Sequence, residues 1–128
     1  MAKFSMTKKQ FINQWLRHFA RDIQKETLTG HCCEQHMWHV FSFGLLPNDS
    51  FLIGSAAQEA FDNADKADCI CCDLYGSGGV TNVLSPMLNT AAKIDTNITE
   101  FYVVSADYRW TYIKTHEPNS GPYFYKLP

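Results

Sequence analysis

The chain has 128 residues, 45% of them hydrophobic and 14% aromatic, with a net charge of −2; this suits one domain, 1–128, built on one core. No apolar run reaches the roughly 18 residues that cross a bilayer, and Met1-Ala2-Lys3-Phe4-Ser5 passes directly into an amphipathic stretch, so a soluble, cytoplasmic protein without membrane contact is expected. Residues 1–25 hold six Lys/Arg against one Asp, whereas residues 26–100 hold ten Asp/Glu against Lys66 and Lys93; such an acidic body argues against nucleic acid as the ligand and for a basic partner, the alternative being a merely solvated surface.

In chain order, Phe11, Ile12, Trp15, Leu16, Phe19 and Ile23 recur at helical spacing, predicting a helix over Thr7–Lys25 with its cations largely elsewhere on the wheel. Thr7 with Gln10 forms a capping box, and Met6 with Phe11 a hydrophobic staple. Met37 to Phe43 has the aromatic and β-branched content of a strand, ended by Gly44 and Pro47. Ser55 and Gln58 make a second capping box, opening a short helix with Ala56, Ala57, Ala60, Phe61 and Ala64 inward. Asp68 to Tyr75 reads as a strand, Gly76-Ser77-Gly78-Gly79 as its turn and Val80 to Leu84 as the paired strand.

Ser85-Pro86 predicts an N-cap with proline at the first helical position, for a helix through about Lys93. Phe101 to Ser105 and Tyr108 to Glu117 then form an antiparallel hairpin about Ala106-Asp107. Alternation puts Tyr108, Trp110, Tyr112, Lys114 and His116 on one face, and Arg109, Thr111, Ile113, Thr115 and Glu117 on the other. The order predicts an α+β fold: a single domain, its mixed or antiparallel sheet packed by an N-terminal helix and two shorter helices, with the helices on one face.

Five cysteines, Cys32, Cys33, Cys69, Cys71 and Cys72, form two tight clusters rather than a disulfide framework, so reduced thiols are expected. His31, Cys32, Cys33, His36 and His39 offer soft metal ligands within nine residues, and Cys69, Cys71 and Cys72 could complete a zinc set. The spacings match no zinc module, so thiols acting as small hydrophobes are the preferred reading and no metal or cofactor is expected. Cysteine nucleophilicity would need Cys32 or Cys33 brought against His31, His36 or His116.

His116 beside Glu117 has the composition of an acid/base pair, but strand alternation separates the two side chains unless the strand ends between them. The glycine loop lacks both the dinucleotide fingerprint and a Gly-Lys-Ser/Thr. The run Asp62-Asn63-Ala64-Asp65-Lys66-Ala67-Asp68 does not fit a calcium loop.

Trp38-His39-Val40-Phe41-Ser42, Ala60-Phe61-Asp62 and the block Trp110-Thr111-Tyr112-Ile113-Lys114-Thr115-His116-Glu117 through Gly121-Pro122-Tyr123-Phe124 carry a family resemblance over residues 36–125. The chain resembles a bacterial domain-of-unknown-function family with such a central strand, helix and C-terminal block. The cysteine clusters and the basic first helix lie outside the pattern. Small bacterial families of this type include immunity proteins of contact-dependent or polymorphic toxin systems, an association rather than a mechanism.

The expectation is therefore a non-enzymatic protein-binding module, an immunity protein that covers a cognate toxin, such as a basic nuclease. Glu59, Asp62, Asp65, Asp68 and Asp73 supply its charge, and Tyr108, Trp110, Tyr112 and Tyr123 its aromatic anchors. The alternative is a small enzyme or zinc-dependent binder using His116 and Glu117, or His31, Cys32, Cys33, His36 and His39.

Overall fold

The computed structural model describes residues 4–33, 35–73, 79–117 and 121–128. The first helix, α1 (Lys8–Phe19), has the expected cap: Thr7 Oγ1 accepts from the Gln10 amide at 3.0 Å, and Gln10 Oε1 accepts from the Thr7 amide at 2.8 Å. It stops at Phe19 rather than Lys25, and a second short helix, α2 (Lys25–Gly30), follows.

The predicted strand at Met37–Phe43 is a helical turn, α3 (His39–Ser42), in which the Phe41 and Ser42 amides both donate to the Trp38 carbonyl. Tertiary burial overrides β propensity there. Cys33, Met37, Val40 and Phe41 are all buried, and their spacing is helical, so one side of this segment enters the core.

After β1 (Phe51–Ile53) comes α4 (Ser55–Asn63). Ser55 is its first helical residue rather than its cap. Gly54 occupies the cap position at φ +69°, no side chain caps the helix, and the Gly54 amide donates to Pro122 O. Ala57 and Phe61 are buried as expected, whereas Ala56 is exposed.

Strands β2 (Cys69–Asp73) and β3 (Gly79–Thr81) pair antiparallel; of the predicted turn Gly76-Ser77-Gly78-Gly79, Gly79 opens β3 and the other three lie outside the described residues. The single helix expected after Ser85 is two pieces. A 3₁₀ turn at Pro86–Leu88 is capped by Ser85, and α5 (Ala91–Asn97) is capped by Thr90, whose hydroxyl accepts from the Lys93 amide. The hairpin β4 (Phe101–Ser105) and β5 (Trp110–Lys114) forms as read, and the final strand is β6 (Tyr123–Lys126).

Sequence patterning missed β1 and β6, which pair with each other at Phe51–Ile53 and Tyr123–Tyr125. The sheet order is β1-β6-β5-β4-β2-β3, with every neighbouring pair antiparallel. The fold is α+β, but helices cover both faces of the sheet rather than one.

On the first face, Phe11, Trp15 and Phe19 of α1 join Met37, Val40 and Phe41 against Ile70, Cys72, Tyr102, Val104, Ile113 and Tyr123. On the second, Ala57 and Phe61 of α4 and Ala91 and Ile94 of α5 pack on Cys69, Cys71, Phe101, Val103, Tyr112 and Phe124. Two buried faces explain why the strands read as nearly continuous apolar runs. Among the described residues, no helix is long and apolar enough to cross a membrane.

Candidate functional site

The two sequence features that looked most like chemistry, the histidine-rich segment before α3 and the Thr115-His116-Glu117 tripeptide, meet in space. Strand β5 ends at Lys114, so strand alternation does not govern His116 and Glu117. His116 Nδ1 lies 2.7 Å from Glu100 Oε1, and its Nε2 lies 3.3 Å from Glu117 Oε1. The imidazole therefore sits between two carboxylates, which corrects the expectation that geometry would keep His116 and Glu117 apart.

Glu100 was not anticipated from the sequence. It immediately precedes β4, and the register Phe101 opposite Lys114 sets it beside the chain just beyond the end of β5. The hairpin register, counted one residue outward, was the signal that could have found it. Glu100 is fully buried, and its Oε2 has no hydrogen-bond partner among the described residues. The indole N–H of Trp38, also buried, likewise has none among them.

A ring wall surrounds the pair. Trp38 meets His116 edge-on at 5.7 Å between ring centroids, and His36 lies 5.9 Å from His116 and 5.0 Å from His39. His39 Nδ1 donates to the His31 carbonyl at 2.6 Å, and His31 Nδ1 donates to the Thr27 carbonyl at 2.9 Å, since a carbonyl can only accept. Burial holds the His36 pKa below its usual value, aided by the neighbouring His39 and His116 and opposed by Glu100.

His116, with a third of its side chain exposed, also lines an open cleft of about 490 Å³ with residues 95–99, Lys114 and Thr115. Lys114 Nζ donates to the Ile98 carbonyl at 2.5 Å and the Asp95 carbonyl at 3.4 Å, tying the end of α5 to β5. The histidine thus stands at the end of the sheet where the two helical layers meet.

The cysteines do not join this site as a metal set. Alternation on β2 sends Cys69 and Cys71 to one face and Cys72 to the other. Burial pushes their thiols up to about 11, 12 and 12 respectively, so they remain protonated small hydrophobes. Cys33 is fully buried, Cys32 is exposed, and no disulfide links any of the five. Among the described residues, no three His, Cys, Asp or Glu side chains are gathered so as to hold a metal ion.

The expected partner surface divides. Glu59, Asp62, Asp65 and Asp68 are exposed along α4 and the loop that follows it, and Asp73 is half-buried at the end of β2. Asp62 also accepts from the Ala91 amide at 2.8 Å, and Asp65 from the Ala67 amide at 3.0 Å. Asp65 and Asp68 border a groove of about 310 Å³ with Asp107, Arg109 and Trp110.

The proposed anchors Trp110, Tyr112 and Tyr123 are core residues, 8%, 0% and 2% exposed, and offer little to a partner. Tyr108, placed by alternation with Trp110, instead packs toward α1. Its backbone turns to φ +56° before β5 begins, and its ring stacks on His18 at 4.3 Å.

No curated protein and no solved structure matches the chain. The family model for "Domain of unknown function (DUF4275)" matches residues 1–124, taking in the first helix and both cysteine clusters as well as the C-terminal block. The chain therefore belongs to the DUF4275 family.

Proposed function

We propose that this domain is a protein-binding module, an immunity protein that neutralises a cognate bacterial toxin of basic, nuclease type through its acidic face. The observation that supports this reading is the segregation of charge onto opposite faces of the sheet. Lys8, Lys9, Arg17 and Arg21 belong to α1 and its end over one face, while the exposed Glu59, Asp62, Asp65 and Asp68 lie on and just after α4 over the other. An acidic face of this kind steers a basic partner and repels acidic ones.

The test is co-expression with each protein encoded by a neighbouring gene that is toxic when expressed alone. Growth protection is expected from the native chain and should be lost in the triple variant Glu59→Lys, Asp65→Lys, Asp68→Lys, with Asp62 kept because it accepts from the Ala91 amide at the start of α5. Protection by the triple variant equal to that of the native chain would refute the acidic face as the binding surface.

A further inference from the structure

We propose that His116 is a general base, oriented by buried Glu100, which activates water to hydrolyse a small uncharged polar ester in the cleft between the end of α5 and the end of β5. This goes beyond the binding reading and occupies a different part of the molecule, so each can fail without the other.

Four observations carry it. First, His116 Nδ1 donates to the Glu100 carboxylate at 2.7 Å, which orients the ring and leaves Nε2, 3.3 Å from Glu117 Oε1, as the nitrogen that exchanges a proton. Second, Glu100 is fully buried with Oε2 unpartnered among the described residues. A carboxylate so placed costs more than a neutral group would, and such placements concentrate at functional sites.

Third, the Trp38 and His36 rings pack around the imidazole and limit its rotation. Fourth, His116 borders the cleft of about 490 Å³ whose other walls carry Thr96, Asn97 and Thr99. Asp95 lines this cleft and Glu100 and Glu117 hold the His116 ring at its edge, so negative charge disfavours an anionic substrate, while Lys114 is engaged by the Asp95 and Ile98 carbonyls. The Thr96 hydroxyl and the Asn97 amide nitrogen donate to backbone carbonyls, so these walls are polar but uncharged and suit a neutral, polar ester.

In the step itself, an O–H bond of water breaks and its proton passes to Nε2, while the water oxygen bonds to the ester carbonyl carbon. Collapse of the tetrahedral adduct breaks the C–O bond to the alcohol, and Nε2 returns the proton to the departing oxygen. Acid and alcohol result, with no redox partner. Glu117, whose carboxylate is 3.3 Å from Nε2 and half-exposed, stabilises the imidazolium and swings aside for water. Glu100 acts as a positioning residue.

The experiment uses the full chain with p-nitrophenyl acetate as the probe. His116→Gln should lower the hydrolysis rate on the order of 10²-fold, and His18→Gln should leave it unchanged. Glu100→Gln should lower kcat while leaving KM nearly unchanged, because the imidazole loses the carboxylate that orients it, and Glu100→Asp should recover part of the loss. A His116→Gln rate equal to the native rate, or a Glu100→Gln kcat equal to the native kcat, overturns the proposal.

Should Glu100→Gln not fold, diethyl pyrocarbonate gives a second reading on the native chain. Nε2 attacks a reagent carbonyl and expels ethyl carbonate, and His116 should be modified fastest of the five histidines. Faster modification of His18 overturns the proposal.

Discussion

Trp15 on α1 donates its indole N–H to the hydroxyl of Thr111 on β5 at 3.0 Å, across 96 positions of sequence, and that hydroxyl donates onward to the Val103 carbonyl at 2.9 Å. Both side chains are fully buried, so this pair orients the helix on the sheet inside a dry core. Thr111→Val keeps the shape and removes the acceptor, leaving the indole N–H buried and unpaired at a cost of about 1–3 kcal/mol. Urea denaturation should show that loss. Adding Trp15→Phe should cost less than the sum of the two single changes, because the orphaned donor is then gone.

Helix capping separates two sequence motifs that look alike. Thr7→Ala removes a cap whose reciprocal hydrogen bonds are both formed, and should destabilise by about 1 kcal/mol. Ser55→Ala should change stability by less than about 0.5 kcal/mol, since Gly54 and not Ser55 holds the cap position. Equal losses in paired thermal melts would contradict the assignment at α4.

Thiol reactivity should follow burial. With Cys69, Cys71 and Cys72 pushed to about 11, 12 and 12, these groups stay protonated at about pH 8, where a chromogenic disulfide reagent consumes thiolates. One fast thiol per native chain, Cys32, is expected, and the other four should react on unfolding. Rapid reaction of three or more in the native state would count against this packing.

Acidification should weaken the fold through His36. Its folded pKa lies below the ordinary 6.5, chiefly through burial and then through His39 and His116, with Glu100 opposing. The unfolded chain therefore binds more protons at this position. Its stability contribution is full above the unfolded value and is lost as pH falls through the folded one. The drop in melting temperature between about pH 7.5 and about pH 5 should be smaller in His36→Asn than in the native chain.

Gly121 sits at φ +97°, and a Cβ there would come within 3.1 Å of the Tyr123 ring and 3.4 Å of Thr115 Cγ2. Gly121→Ala combines a backbone conformation hostile to L side chains with a close approach to a buried ring. It should destabilise by about 1–3 kcal/mol, read as a lowered denaturation midpoint.

Much of the architecture was legible because it is local. The α1 cap and stripe depend on residues three and four apart, and the β4–β5 hairpin depends on a short connection between alternating strands. Strands β1 and β6 were not legible. Each is three or four residues long; β1 pairs with β6 across about seventy positions, a pairing no local window contains, and β6 forms between β1 and β5. The segment at α3 failed for a different reason: its aromatic and β-branched residues favour a strand in isolation, while the core takes the side formed by Cys33, Met37, Val40 and Phe41.

The sequence by itself determined the α+β class, a capped basic first helix and an acidic middle. Periodicity, capping and charge are properties of neighbouring residues. Only the tertiary structure decided that helices cover both faces, that Trp110, Tyr112 and Tyr123 are core, and that His36, Trp38, Glu100, His116 and Glu117 share one end of the sheet. The reason is register: fixing Phe101 opposite Lys114 ends β5 before His116 and carries buried Glu100 beneath it. That alignment is set by strands packing between two helical layers, not by the order of residues around the histidine.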